Sequence, residues 1–200
     1  MNLNLNEHMA RFIAHIQGDG CFSPERNAFR YFNKDLDLIN DFERAAFFAF
    51  AIYCNKPYLG KTCYHVGFRN KVLAELLKKY CFSSKTWVSP EFVFKGGLEI
   101  KSAYLQAFFD DESTVTFTKR KEWYNRSIAI QLNNEKGVIQ LQELLESFSI
   151  ESKKYGPIRK KYFELKIMGK TNLIKFYVEI GFVSKCKQLK LLNSIRTYQN

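Results

Sequence analysis

The chain has 200 residues, 46% hydrophobic and 26% charged, enough to bury a core, short for two independent domains, and unlike fibrous or disordered chains. Basic residues outnumber acidic ones 31 to 20, a formal net charge of +11. The excess is uneven, with 13 Lys and Arg against 10 Asp and Glu in positions 1–100 and 18 against 10 in positions 101–200. Charge of this sign attracts polyanions, so a nucleic acid or an anionic surface is the expected partner.

The longest nearly apolar run, Ala45 to Cys54, is about half of a ~20-residue transmembrane span, so no membrane partner is expected. The N-terminus lacks the pattern of a secretory signal. An intracellular, non-secreted protein is therefore expected, in a bacterial or archaeal cytoplasm or an organelle. Five cysteines, Cys21, Cys54, Cys63, Cys81 and Cys186, are odd in number and form no C-x-x-C pair. They read as reduced thiols rather than as a disulfide framework or zinc ribbon. His8 and His65 have no second ligand at metal-binding spacing.

In chain order, a helical stretch from Met9 to Gly18 leads into strand-like runs Cys21–Glu25 and Ala28–Asn33, a helix over Asp35–Ala51, strands near Tyr58–Lys61 and Thr62–Arg69, and a helix over Lys71–Tyr80. The same order then repeats: a helix from Lys101 to Asp111, strands Thr114–Lys121 and Trp123–Leu132, a helix Asn134–Phe148, strands Ser152–Gly156 and Lys161–Met168, and a helix Asn172–Ile180. Junctions match as well, Asn33-Lys34 with Asn133-Asn134 and the segment 81–85 with 181–185. Such an internal repeat predicts two halves, residues 1–86 and 98–200, joined by a linker over 87–97 with Pro90 and the Gly96-Gly97 pair as breakers. A short basic helix, Lys187–Arg196, follows the second copy. The Phe-rich stretch Ala45–Tyr53 reads as core at a period of 3.6.

The strand runs alternate with period 2. Tyr64, Val66 and Phe68 oppose Lys61, His65 and Arg69. In the second half Val115 and Phe117, Ile128, Ile130 and Leu132, and Phe163, Leu165 and Ile167 oppose polar neighbours. Each half therefore offers a sheet with an apolar back for helices and a polar, largely basic front. On these fronts the candidate contacts to a polyanion are Ser23, Glu25, Arg30, Asn33, Lys61, His65 and Arg69 in the first half, and Thr116, Thr118, Arg120, Ser127, Gln131, Arg159, Lys160, Tyr162, Glu164 and Lys166 in the second.

Two nonamers carry the chemistry. In Phe12-Ile13-Ala14-His15-Ile16-Gln17-Gly18-Asp19-Gly20 the small residues Ala14 and Gly18 share a helix face, and Asp19 stands at the helix end. In Leu105-Gln106-Ala107-Phe108-Phe109-Asp110-Asp111-Glu112-Ser113 the same positions hold Ala107 and Asp111, with Glu112 as the terminal acid. If the helices pack through these faces, two carboxylates meet at the negative ends of two helix dipoles, where a divalent cation is favoured. His15 reads as an interface histidine rather than a metal ligand.

These nonamers resemble the two motifs of the LAGLIDADG homing endonucleases in their single-chain form, and the likeness extends over nearly the whole chain. The first motif keeps the Gly-Asp-Gly ending, with His15 where an aliphatic residue is usual. The second has Glu in place of Asp, Asp111 where Ala is usual and Ser113 where Gly is usual. The resemblance implies an α+β, pseudo-twofold duplicated αββαββα fold whose two antiparallel sheets form a DNA-binding saddle. It implies a monomeric, site-specific endonuclease cutting both strands of double-stranded DNA at an asymmetric target of roughly 20 base pairs. Asp19 and Glu112 would hold Mg²⁺, with Mn²⁺ or Ca²⁺ as substitutes, helped by the carbonyls of Gly18 and Asp111. Lys34 occupies the slot of a lysine near the phosphates; the second half has Asn134 there. Intron RNA splicing cofactors and non-cleaving DNA-binding proteins of the same fold are the alternatives.

Overall fold

One alternation, helix, two strands, helix, two strands, helix, runs through the chain twice. The computed structural model describes residues 4–80, 86–121, 123–159 and 161–198. The first copy is α1 (Glu7–Gln17), β1 (Gly20–Ser23), β2 (Ala28–Asn33), α2 (Leu36–Phe50), β3 (Tyr58–Leu59), β4 (Tyr64–Arg69) and α3 (Lys71–Leu77). After a short helix, α4 (Glu91–Lys95), the second is α5 (Leu98–Glu112), β5 (Ser113–Arg120), β6 (Trp123–Leu132), α6 (Glu135–Glu146), β7 (Ser152–Ile158), β8 (Tyr162–Ile167) and α7 (Lys170–Glu179), followed by α8 (Lys185–Arg196). The strands form two antiparallel four-stranded sheets of the same order, β1-β2-β4-β3 and β5-β6-β8-β7. The fold is thus α+β and internally duplicated, as the repeat predicts.

Local chemistry sets the element ends. Asn6, Asp35, Asn70 and Asn134 start α1, α2, α3 and α6 by accepting hydrogen bonds from first-turn amides. Pro24 stops β1 two residues before the expected end and opens a turn of 3₁₀ helix over Pro24–Arg26, so Glu25 stands on a turn and not on a strand. The strand expected near Tyr58–Lys61 is only two residues long, which leaves Lys61 exposed in the following bend. The expected linker is a packed element rather than a spacer. Trp87 is 1% exposed, its ring lies 4.8 Å from that of Phe108, and its carbonyl accepts from Asn134 Nδ2 at 2.6 Å. The segment 81–85, Lys160 and Glu122 lie outside the described residues.

Period-2 alternation places the core. Phe29, Tyr31, Val66 and Phe68 point back from the first sheet onto Phe12 of α1 and Phe42 of α2, and Ile128, Ile130, Leu165 and Ile167 do the same in the second. The Phe-rich stretch is core on one side only. Ala45, Ala46 and Phe50 are buried, whereas Phe47, Phe48 and Tyr53 are exposed. No helix among the described residues is long and apolar enough to cross a membrane.

The two copies meet through α1 and α5, which lie against each other along their lengths with Ala10, Ala14, Ala103 and Ala107 buried. Close approach requires Gly18, because a Cβ there would stand 2.7 Å from the Asp111 Cβ. Gly18→Ala should push the two helices apart and lower the unfolding free energy by about 1–3 kcal/mol, read as a lower urea midpoint at unchanged slope.

Candidate active site

At the C-terminal ends of α1 and α5 the close approach traps a line of polar groups. His15 is fully buried, with Nδ1 3.0 Å from Asp111 Oδ2 and Nε2 3.1 Å from Asp41 Oδ2. With a carboxylate at each nitrogen, both ring N–H groups donate and the ring is an imidazolium. Burial alone would lower its pKa, but Asp111 and then Asp41 outweigh that and raise it from 6.5 to about 9. Burial pushes the Asp41 carboxyl up, yet His15 and Arg11, the latter at 2.7 Å, hold it down at about 2. Arg11 also reaches across to Gln106 of α5 at 2.6 Å. Two positive and two negative side chains thus neutralise one another inside the joint. The expectation of an interface histidine agrees with this geometry.

The line continues to the acids. The Tyr31 hydroxyl donates to Asp111 Oδ1 at 2.5 Å, and Asn33 Nδ2 donates both to that hydroxyl, at 3.2 Å, and to Asp19 Oδ2, at 2.9 Å. A hydrogen-bonded path therefore runs from buried Asp41 through His15, Asp111, Tyr31 and Asn33 to Asp19. Asp19 reaches solvent but is crowded. Burial first, then the Asp111 charge, raise its pKa to about 6. Glu112 is half-buried and is raised further, to about 7, by burial and then by the charges of Asp19 and Asp111. These two carboxylates, one from each copy, lie close enough to repel. Among the described residues no group of three or more His, Cys, Asp or Glu side chains is arranged to hold a metal ion.

The front faces carry most of the expected contacts. Arg30, His65 and Arg69 line a cleft of the first sheet with Phe32 and Tyr58, whose rings lie 4.9 and 5.0 Å from that of His65. Gly67 forms its floor opposite Arg30, and a Cβ there would lie 2.3 Å from the Phe29 carbonyl. Ser23 and Asn33 are half-buried, with Asn33 at the Asp19 end rather than out on the face. In the second sheet Thr118, Arg120, Gln131 and Arg159 are exposed, and Thr116, Tyr162, Glu164 and Lys166 half-buried. Gln131 donates to Glu164 at 3.2 Å. Ser127 does not reach the surface at 1% exposure, because its short side chain sits opposite Thr116 within the sheet. Lys160 is not among the described residues. Lys34 is exposed in an open cleft with Tyr64, Lys185 and Cys186, and neither a hydrogen bond nor an ion pair joins it to either acid among the described residues.

Pattern reading missed several groups. Lys153 faces Lys166 directly across the β7–β8 pair on the front, a like-charge pairing that destabilises an isolated sheet and is relieved by an anion. Its signal was the alternation in Ser152-Lys153-Lys154-Tyr155. Trp123 and Asn125 extend the same face through the register with Arg120 and Thr118. Lys187, which reaches the end of α5 from α8, has no local signal at all.

Comparison with known proteins places this geometry. Residues 99–181 match the family model of a LAGLIDADG-like domain. Among solved structures, full-length DUF199/WhiA from Thermatoga maritima superposes with a TM-score of 0.66 at 12% identity, over 98% of this chain and 62% of that one. The N-terminal LAGLIDADG domain of DUF199/WhiA gives 0.61 at 10% identity, over 89% of this chain and 82% of that one. The homing endonuclease I-DmoI, in complex with DNA and Mn, gives 0.62 at 16% identity, over 88% and 97%. The chain spans 62% of the length of full-length WhiA. At such identities these structures share the fold. The second half is a LAGLIDADG-like domain, and the chain as a whole has the LAGLIDADG fold in its single-chain, two-motif form.

The buried joint has a pH signature. The folded-state pKa of His15 lies above its unfolded value, so its contribution to stability is complete below about pH 6.5 and is lost as pH rises through about 9. Asp41 acts in the opposite direction, its contribution being present above about pH 3.8 and lost as pH falls toward 2. Urea unfolding followed from pH 6 to pH 10 should show the alkaline loss in the unaltered chain and not in His15→Leu/Asp111→Ala. Either single change should cost about 3–5 kcal/mol by taking away one partner of the buried His15–Asp111 ion pair, and the double change less than the sum of the two.

Proposed function

We propose that the chain is a site-specific, divalent-metal-dependent endonuclease that cuts both strands of DNA at a long asymmetric target of roughly 20 base pairs, the reach of two four-stranded sheets along about two turns of groove. The observation that carries this reading is the pair of repelling carboxylates, Asp19 and Glu112, one from each copy, at the joint between two basic-fronted sheets. A stable fold gains nothing from that repulsion, whereas phosphodiester hydrolysis needs such a place. I-DmoI, with the same fold, has been captured with DNA and Mn and with DNA and Ca.

The donor set fits a hard divalent ion, being made of carboxylate oxygens held near the helix-end carbonyls of Gly18 and Asp111. Mg²⁺, when bound, supplies charge neutralisation at the scissile phosphate and a more acidic water. Asp19 and Glu112 would hold it, with Asn33 orienting Asp19. The front faces would fix the duplex in register. Arg30, His65 and Arg69 around the Gly67 floor, and Arg120, Gln131, Lys153 and Lys166 on the second sheet, give the two halves different surfaces, which is what an asymmetric target requires. Lys34, exposed in its open cleft, would contact the phosphate backbone.

The test is cleavage-site selection from randomised duplexes in Mg²⁺, with the unaltered chain beside Asp19→Asn and Glu112→Gln. A recoverable motif cut on both strands is expected, with either substitution abolishing cutting while binding survives. Binding without cutting in Mg²⁺ or Mn²⁺ would defeat the nuclease reading and leave a DNA- or RNA-binding protein of this fold. Replacing Lys153 and Lys166 by Ala should reduce the slope of log affinity against log salt by about 2. An unchanged slope would remove that pair from the interface.

A further inference from the structure

The end of α5 and the start of α8 cap one another. The Asp110 carboxylate accepts the N–H groups of Val183, at 2.7 Å, and Ser184, at 3.1 Å, at the head of α8. In return Lys187, in the first turn of α8, sends its ammonium to the main-chain carbonyls of Phe109, at 3.2 Å, Asp110, and Ser113, at 2.7 Å. These carbonyls flank Glu112 on both sides, and the Asp111 carbonyl is not among them. A lysine normally keeps its ammonium in water. Here it is drawn into the crowded joint, where the charges of Asp110, Asp111, Asp19 and Glu112 all act on it. No lysine caps the end of α1 among the described residues, and Asp19 is met by the neutral amide of Asn33 instead.

We infer that Lys187 is the internal counter-cation of the acid pair and the positioning residue of Glu112: its ammonium fixes the last turn of α5 through three carbonyls and offsets the carboxylates gathered there. The assignment rests on Asp19 and Glu112 forming the working centre. The two acids are held differently, because the ammonium itself fixes the turn that carries Glu112, whereas Asp19 feels the Lys187 charge but is hydrogen-bonded to the neutral amide of Asn33. Lys187 also supplies, from the C-terminal helix, a cation that the second motif's own strand end lacks, where Asn134 stands in the place of Lys34.

A double-substitution cycle on the full chain, without DNA and in EDTA, separates this role from simple capping. Lys187→Met should lower the melting temperature by roughly 5–10 °C. In a Glu112→Gln background that loss should be clearly smaller, because one carboxylate that Lys187 offsets is gone while its bonds to the three carbonyls remain, and Lys187→Arg should stay near the unaltered value. Equal losses in both backgrounds would overturn the proposal and leave Lys187 as a cap alone. Should Lys187→Met fail to fold, Lys187→Gln, which keeps a donor for the carbonyls and removes the charge, enters the same cycle with the same two outcomes. The cycle contains neither metal nor substrate. Absence of cutting with the coupling intact would therefore defeat the nuclease reading only, and loss of the coupling with cutting intact would defeat only the role given to Lys187.

Discussion

Everything at the centre of this molecule follows from how closely α1 approaches α5. Helices that meet through Ala14, Gly18 and Ala107 leave no room for a pair of side chains unless the two are complementary. His15 and Asp111 are such a pair, at 3.0 Å with no side-chain exposure. Each is a departure from its motif, and each explains the other. Without Asp111 the buried imidazolium would keep only Asp41, and without His15 the buried carboxylate would keep only the neutral Tyr31 hydroxyl as a hydrogen-bond partner, so each loss would leave a desolvation cost less well offset. Pairing two copies of the first-half face would bring imidazolium to imidazolium, and two copies of the second carboxylate to carboxylate. The unlike pairing of this interface is therefore built into its charges as well as its covalent connection.

The joint also sets the state of the acids it delivers. Asp19 is tied through Asn33 and Tyr31 to Asp111, so the charge that balances His15 is one of those that raise Asp19. Glu112 carries the repulsion of Asp19 and Asp111 without a hydrogen-bonding amide like that of Asn33 among the described contacts, and is raised the more of the two. The pseudo-twofold arrangement of the backbone is therefore not an electrostatic symmetry. One acid is hydrogen-bonded to a neutral amide at the end of a strand, the other sits in a turn whose carbonyls Lys187 holds, and the charge of Lys187 acts on both.

Much of this was legible in the sequence because it rests on local periodicity. Strand alternation found the apolar backs and the basic fronts, and the spacing of the two nonamers put both acids at helix ends. What escaped depends on distance along the chain. Lys187 meets Phe109 and Ser113 from more than 70 residues away, and no local pattern marks a lysine that will turn inward. Asp111 reads locally as a mere departure from its motif, and what it pairs with stands 96 residues earlier in the chain. Ser127 had the parity of a contact residue, but a short side chain on a pleated face can lie below its neighbours. Pro24 ended β1 early for a reason visible in the sequence, and Glu25 still had the look of a strand residue.

The remaining constraint is the separation of charge. A chain with a formal net charge of +11 places Asp19, Asp110, Asp111 and Glu112 together at the end of one helix pair while Arg30, Arg69, Arg120, Lys153 and Lys166 stand on the sheet fronts. His15, Lys187 and the amides of Val183 and Ser184 face much of that negative charge. The two acids of this group that reach solvent, Asp19 and Glu112, are pushed up to about 6 and about 7, as buried Asp110 is to about 7. On the proposed reading, a polyanion held on the sheet fronts presents its backbone to Asp19 and Glu112. Anion against anion is unfavourable at that point, and a divalent cation between them converts the repulsion into attachment. Docking of the polymer and binding of the ion are then coupled by Coulomb's law alone, each raising the affinity for the other.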